Sequence, residues 1–227
     1  MNNKQKIKII KNGPYRITGN VPLSEKIIVL KGDQYEYKDG EPLTGAETYL
    51  LCRCGHSSNP PFCDGTHGKI KFDGTETASK ETFIERAEVF DGPGITLLDD
   101  GRCAYARFCH RNDGDAWELT ERSDDERLRE EAIIAAVECP AGRLLAVTKS
   151  NEEIEPELNP SIEILQDDEL NVSGPVYIKG GIPIESVDGV IYEVRNRQTL
   201  CRCGKSKNKP FCDSSHVIIK FRDKCQS

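Results

Sequence analysis

The chain reads as a mainly β protein with small α content, an α+β fold made of two related β units around a different insert. Three observations carry this. A cysteine-rich segment of sixteen residues occurs twice, at 52–67 and 201–216, and the stretches leading into it recur as well. Most apolar residues fall in short runs bounded by Gly, Pro, Asn or Asp, as in short strands joined by turns. Apolar spacing takes a helical period only between the two copies.

In chain order, residues 7–11 and 15–17 are β-prone and separated by the turn signal Asn12-Gly13-Pro14. Residues 27–31 and 34–38 alternate about Gly32-Asp33 and read as a hairpin. Tyr49-Leu50-Leu51 delivers the chain to Cys52, and Ile70-Lys71-Phe72 reads as one more strand. The run from Gly13 to Leu23 is echoed from Gly174 to Ile184. Val190–Val194 and Thr199-Leu200 then lead into Cys201, and Ile219–Phe221 follows as a strand. In the insert, Phe83–Phe90 and Ile95–Leu98 read as strands about the turn 91–94. Ser123-Asp124-Asp125-Glu126 has the pattern of a capping box and opens an amphipathic helix to about residue 138. Leu128, Ala132, Ala135 and Ala136 form its apolar face, and Cys139-Pro140-Ala141-Gly142 stops it. Leu144–Val147 is a strand, and 161–172 a hairpin about Asp167-Asp168. The chain thus divides into a first half, 1–80, an insert, 81–150, a connecting hairpin or linker, 151–172, and a second half, 173–227.

The repeated segment carries the chemistry. Cys52, Cys54, Cys63 and His67 are spaced C-x-C-x8-C-x3-H, and Cys201, Cys203, Cys212 and His216 repeat the spacing; eleven of the sixteen positions are identical. Three thiolates and one imidazole suit Zn²⁺ or an iron–sulfur cluster. Zinc fingers usually divide their ligands into two knuckles, whereas here the first two cysteines are one residue apart. His56 has Lys205 as its counterpart, which argues against its being a ligand. Arg53 and Arg202, between the paired cysteines, read as structural or weakly electrostatic residues, and Asp64 and Asp213 as caps of the turn that bears each histidine.

These residues resemble the CDGSH, or NEET, family of [2Fe–2S] proteins. Ser57, Pro61, Phe62, Cys63, Asp64, Gly65 and His67 match its signature, as do Ser206, Pro210, Phe211, Cys212, Asp213 and His216, while Ser214 departs where the family has glycine. The resemblance implies one [2Fe–2S] cluster on each Cys3His set. It also implies two NEET-like halves joined as an intramolecular pseudo-dimer, hence a monomer. The small apolar content of each half points the same way.

The insert, roughly 83–148, resembles divergent single-cluster ferredoxin-like modules that accompany such motifs. It keeps Cys103, Cys109 and Cys139, with Ala106 where a bacterial four-iron run would place a cysteine. The resemblance implies a third cluster, either [3Fe–4S] on the three thiolates or [4Fe–4S] with a non-cysteine or external fourth ligand; without a cluster the three would be buried free thiols. His110 reads as a surface residue.

A net charge of −7 gives no reason to expect nucleic-acid binding. The sequence has no apolar run of about 18 residues for a membrane span and too short an apolar start for a signal peptide. Ten cysteines clustered as ligands, with Cys225 apart, fit a reducing cytoplasm better than a disulfide scaffold. No nucleophile–base pair, phosphate loop or dinucleotide fingerprint stands out, so no enzyme is expected. The reading is an iron–sulfur protein for electron or cluster transfer, serving a redox partner or an apo-protein acceptor. Replacing one thiolate by imidazole raises the reduction potential and makes the site pH-responsive and more labile. A zinc-stabilised interaction module and a redox or pH sensor acting through a partner are the alternatives.

Overall fold

A computed structural model describes residues 5–223; Cys225 lies outside them. The first unit supplies β1 (Lys6–Ile9), β2 (Tyr15–Thr18), β3 (Leu23–Lys31), β4 (Gln34–Asp39), β5 (Thr48–Leu51) and the helical turn α1 (Thr66–Lys69). The insert supplies α2 (Phe83–Arg86), β6 (Glu88–Asp91), β7 (Ile95–Asp99), β8 (His110–Arg111), β9 (Gly114–Asp115), α3 (Ala116–Glu121), α4 (Glu126–Val137), β10 (Leu144–Thr148) and β11 (Glu153–Ile154). The second unit supplies β12 (Ser161–Asp167), β13 (Val172–Lys179), β14 (Ile184–Glu185), β15 (Arg197–Leu200) and α5 (Ser215–Ile218). The fold is mainly β with few helices.

The two units exchange strands. One sheet runs β14-β1-β2-β5 and the other β15-β13-β12-β3-β4. In each, three antiparallel strands come from one unit, and a strand from the other joins them in parallel: β14 on β1, and β3, which brings its hairpin partner β4, on β12. β12, in the stretch expected as a connecting hairpin or linker, therefore lies at the centre of the second sheet. Inward-facing side chains alternate along these strands, as a half-buried sheet requires. Ile7, Ile9 and Ile17 of the first unit share one core with Ile162, Ile164 and Ile178 of the second. Neither unit has a core without the other, so the halves form the expected pseudo-dimer.

Several local expectations change. Phe83–Phe90 is not one strand: Thr82 and Glu85 make a reciprocal capping box, which turns 83–86 into α2 before β6 begins. Ile70–Phe72 and Ile219–Phe221 are not strands either, because Lys71 and Lys220 take left-handed φ values of 52° and 51°. Val190–Val194 is reduced to a single bridge between Glu185 and Ile191. The cap of α4 is Asp125, which accepts from the Leu128 amide; the Ser123 hydroxyl instead accepts the Gly94 amide. The burial of Leu128, Ala132, Ala135 and Ala136 is as expected. Helix α3 was not foreseen, although Asp115 and Glu118 form its capping box.

The insert is a four-stranded antiparallel sheet, β11-β10-β7-β6, packed against α3 and α4. It is clamped to the second unit by Arg197 at the start of β15. That buried guanidinium donates to the carbonyls of Ala136, Val137 and Cys139 at the end of α4 and pairs with Glu155. A cation at a helix C-terminus satisfies orphan carbonyls and complements the helix dipole. The loop 103–109 adds a second anchor: Arg107 pairs with Asp167 at 2.7 Å, and Phe108 packs on Tyr37 of β4.

Candidate metal centres

Each cysteine motif starts where a strand ends. β5 delivers Cys52 and β15 delivers Cys201, and the chain then turns sharply through Gly55 or Gly204. These glycines are required by a close approach as well as by positive φ. A Cβ on Gly55 would lie 2.5 Å from the Cys203 carbonyl oxygen, and one on Gly204 would lie 2.6 Å from that of Cys54. The two cluster loops thus meet backbone to backbone between the halves.

Ligands come in pairs. The sulfurs of Cys52 and Cys54 are 3.6 Å apart and those of Cys201 and Cys203 3.8 Å. The helical turn α1 holds His67 Nδ1 3.3 Å from the Cys63 sulfur, and α5 holds His216 Nδ1 3.4 Å from that of Cys212. Two thiolates on one tetrahedral metal, with bonds of about 2.3 Å, stand about 3.8 Å apart, and a thiolate and an imidazole about 3.5 Å. Each pair therefore has the edge length of a separate metal. Among the described residues no three or more Cys, His, Asp or Glu side chains converge on a point suited to one ion.

The surroundings favour one thiolate in each C-x-C pair. Nearby backbone amides, those of Gly55, Ser57 and Cys54 at Cys52 and those of Ser206 and Gly204 at Cys201, favour the charged form of the first sulfur. Within each C-x-C pair the sulfur–sulfur hydrogen bond lowers the first thiol, Cys52 to about 5 and Cys201 to about 7, and raises its partner. The remaining proton is the one that a metal displaces. Burial pushes Cys63 and Cys212 up and, with the Arg202 charge, holds His216 down at about 4.

Arg53 and Arg202 are structural, as expected, and nearly wholly buried. Each donates from Nε to the carbonyl of the glycine that opens the preface, Gly13 or Gly174, at 2.9 Å. Arg202 also pairs with Asp223. Gly74 stands at the matching position of the first copy, and Arg53 Nη1 has no partner among the described residues. Asp64 accepts from the Thr66 amide and from Ser58, while Asp213 accepts from the Ser215 and Lys207 amides. Each aspartate so ties its histidine turn to the loop after the C-x-C pair. The cap position itself belongs to Gly65 and Ser214, both left-handed, with φ of 86° and 64°. Ser214 adopts the glycine conformation at that position. His56 and His110 are exposed.

Cys103, Cys109 and Cys139 line one cavity with Trp117, Pro140 and Arg143. The loop between the first two closes tightly because Tyr105 and Arg107 hold φ of 56° and 67°, with Ala104 and Ala106 buried between and beside them. Non-glycine residues in that region gather at functional sites. The Tyr105 amide donates to the Cys103 sulfur at 3.3 Å. Burial and the other two sulfurs push Cys109 up to about 12, and burial raises Cys139. The sequence singled out all three cysteines but gave no sign of what lies beside them. Cys139 packs against Ala104 and Ala141, which bury Cys212 of the second motif. Nor did it mark Tyr15, whose hydroxyl crosses to the second motif and donates to the carbonyls of Cys201 and Pro210, at 2.8 and 3.1 Å. Val176 stands at the equivalent place in the second copy, so a mismatch in the echoed prefaces was the one available signal.

Residues 12–68 and 173–217 match the family described as iron-binding zinc finger CDGSH type. Residues 90–149 match the one described as divergent 4Fe-4S mono-cluster. No curated protein and no solved structure matches the chain.

Proposed function

Because the chain carries two CDGSH-type iron-binding domains around a divergent 4Fe-4S mono-cluster module, and so binds iron–sulfur clusters, we propose that it is an electron-transfer or cluster-carrying protein with two [2Fe–2S] sites and one larger site. In the first site Cys52 and Cys54 would hold one iron, and Cys63 with His67 Nδ1 the other. Cys201, Cys203, Cys212 and His216 do the same in the second. The observation that carries this is the pairing of donors at single-metal edge lengths. A lone zinc ion needs four convergent ligands. Cys103, Cys109 and Cys139 around their common cavity would hold a [3Fe–4S] or [4Fe–4S] cluster.

Bound clusters supply one-electron chemistry; the chain supplies their setting. The amides aimed at Cys52, Cys103 and Cys201 spread thiolate charge, which tunes the potential. A redox partner protein or an apo-protein that accepts clusters would be served at the surface. No helix among the described residues is long and apolar enough to cross a membrane. Iron and acid-labile sulfide analysis with EPR on anaerobically purified protein tests the reading. The outer sites should bring about two irons each and the insert about three or four more. Stoichiometric zinc without sulfide, after iron-replete expression, would overturn it in favour of a zinc-stabilised module.

A further inference from the structure

The two CDGSH-type sites share one donor spacing but not one environment. Cys212 and His216 are each 4 % exposed. Cys63 and His67 are only half-buried, and Asp64 and Gly65 between them are open to solvent. The cover over the second site has identifiable sources. Ala104 and Ala141 of the insert pack on Cys212. The Arg102 guanidinium lies over the ring of Phe211, the residue before Cys212, at 3.9 Å. The chain entering the insert also crosses the second loop, where the Thr77 and Ala78 amides bind the Lys209 carbonyl and the Thr77 hydroxyl binds that of Lys207. This cover is held down by the two anchors already described, Arg197 under α4 and Arg107 on Asp167.

From this asymmetry we infer that the first site is the exchange site, where metal or cluster enters and leaves against a thiol-bearing acceptor, and that the insert is a cap which keeps the second site loaded. The inference rests on the reading that both sites bind metal. Exchange at His67 is a ligand substitution. The acceptor's sulfur bonds to the metal as the Nδ1 bond breaks, the acceptor's proton passes to the freed nitrogen, and no electron changes hands. A thiol can reach that bond from solvent at Cys63 and His67. At Cys212 the open approach is the cavity between Arg102, Cys103 and Ser214, at whose wall the sulfur is nearly closed off by Ala104 and Ala141, so a thiol reaches the metal there more slowly unless the insert moves.

The test follows both sites in one molecule. The full-length, metal-loaded protein is challenged anaerobically with excess EDTA and pulsed with iodoacetamide, and alkylation at Cys63 and Cys212 is read by peptide mass spectrometry. Cys63 should become reactive at least roughly tenfold faster than Cys212, as expected when one site opens locally and the other needs a packed segment to move. Ala104→Asp should speed Cys212 toward the rate of Cys63 and leave Cys63 unchanged. Should that variant fail to fold, Arg102→Ala, which removes only the cover on Phe211, is expected to act in the same direction. Equal wild-type rates, or Cys212 reacting first, would overturn the assignment. Sulfide analysis of the same sample judges the iron–sulfur reading separately, since alkylation reports site opening whichever metal is bound.

Discussion

Ser214 meets with a side chain the same left-handed backbone that glycine supplies at position 65 of the first copy. It holds φ of 64° with a Cβ, where Gly65 needs none. A side chain in that region costs about 1 kcal/mol or more relative to glycine. Ser214→Gly should leave thermal stability unchanged or raise it by up to about 1 kcal/mol, whereas Gly65→Ala should lower it by about 1 kcal/mol. The opposite pair of shifts in thermal unfolding would show that Ser214 is held by something other than its backbone. His216 gives a pH effect with a definite sign. Burial, and then the Arg202 charge, hold it down at about 4, while an unfolded chain takes up the same proton at about 6.5. The unfolded state therefore binds more protons between those values, and stability falls as pH drops from about 6.5 to about 4. Urea midpoints of the metal-free protein, measured across that window, should decline less steeply in His216→Gln than in the wild type. Identical slopes would clear His216 of the effect. The ligand residues were legible from spacing alone, since each set lies within sixteen residues. The neighbours that set the burial of Cys212, Ala104 and Ala141, lie 108 and 71 residues away and were not.

At the scale of elements, two long-range contacts make separate predictions. Arg197 ends α4 from another unit, donating to three of its last carbonyls and pairing with Glu155. Arg197→Met would take a charged donor from three helix-end carbonyls and leave Glu155 only the Asn196 amide, a loss of about 3–5 kcal/mol. The insert should then undock: amide exchange in α4 and access to Cys139 should increase before the shared core of the two halves is affected. Uniform loss of protection in all three units would mean that Arg197 belongs to the global core. Tyr15 gives a milder case. Tyr15→Phe removes a buried hydroxyl from two carbonyls of the second loop and should cost about 1 kcal/mol in thermal unfolding. Its effect on metal loss should fall on the second site, since its hydroxyl contacts belong to that loop. At this scale the sequence told strands from helices where periodicity ran long, as in β3, β4 and α4. It failed where one residue overrides a run: Lys71 and Lys220, by turning left-handed, break two Ile-Lys-Phe triplets that read as strands.

For the molecule as a whole, the repeat made a paired architecture readable, and the small apolar content of each half made pairing necessary. Which strand completes which sheet was not readable, because β3 and β14 have no local feature that distinguishes pairing at home from pairing across. The register is set by partners far along the chain, Leu23 opposite Ile162 and Ile7 opposite Ile184. That exchange changes how the protein answers dilution. In two separate chains an exchanged strand would be lost by mass action as concentration fell. Here one chain tethers both halves, so each strand meets its partner sheet at a local concentration fixed by the connection between them. The unfolding midpoint should therefore be the same across a hundredfold range of protein concentration, and a chain cut within the insert should acquire the dependence that the intact one lacks.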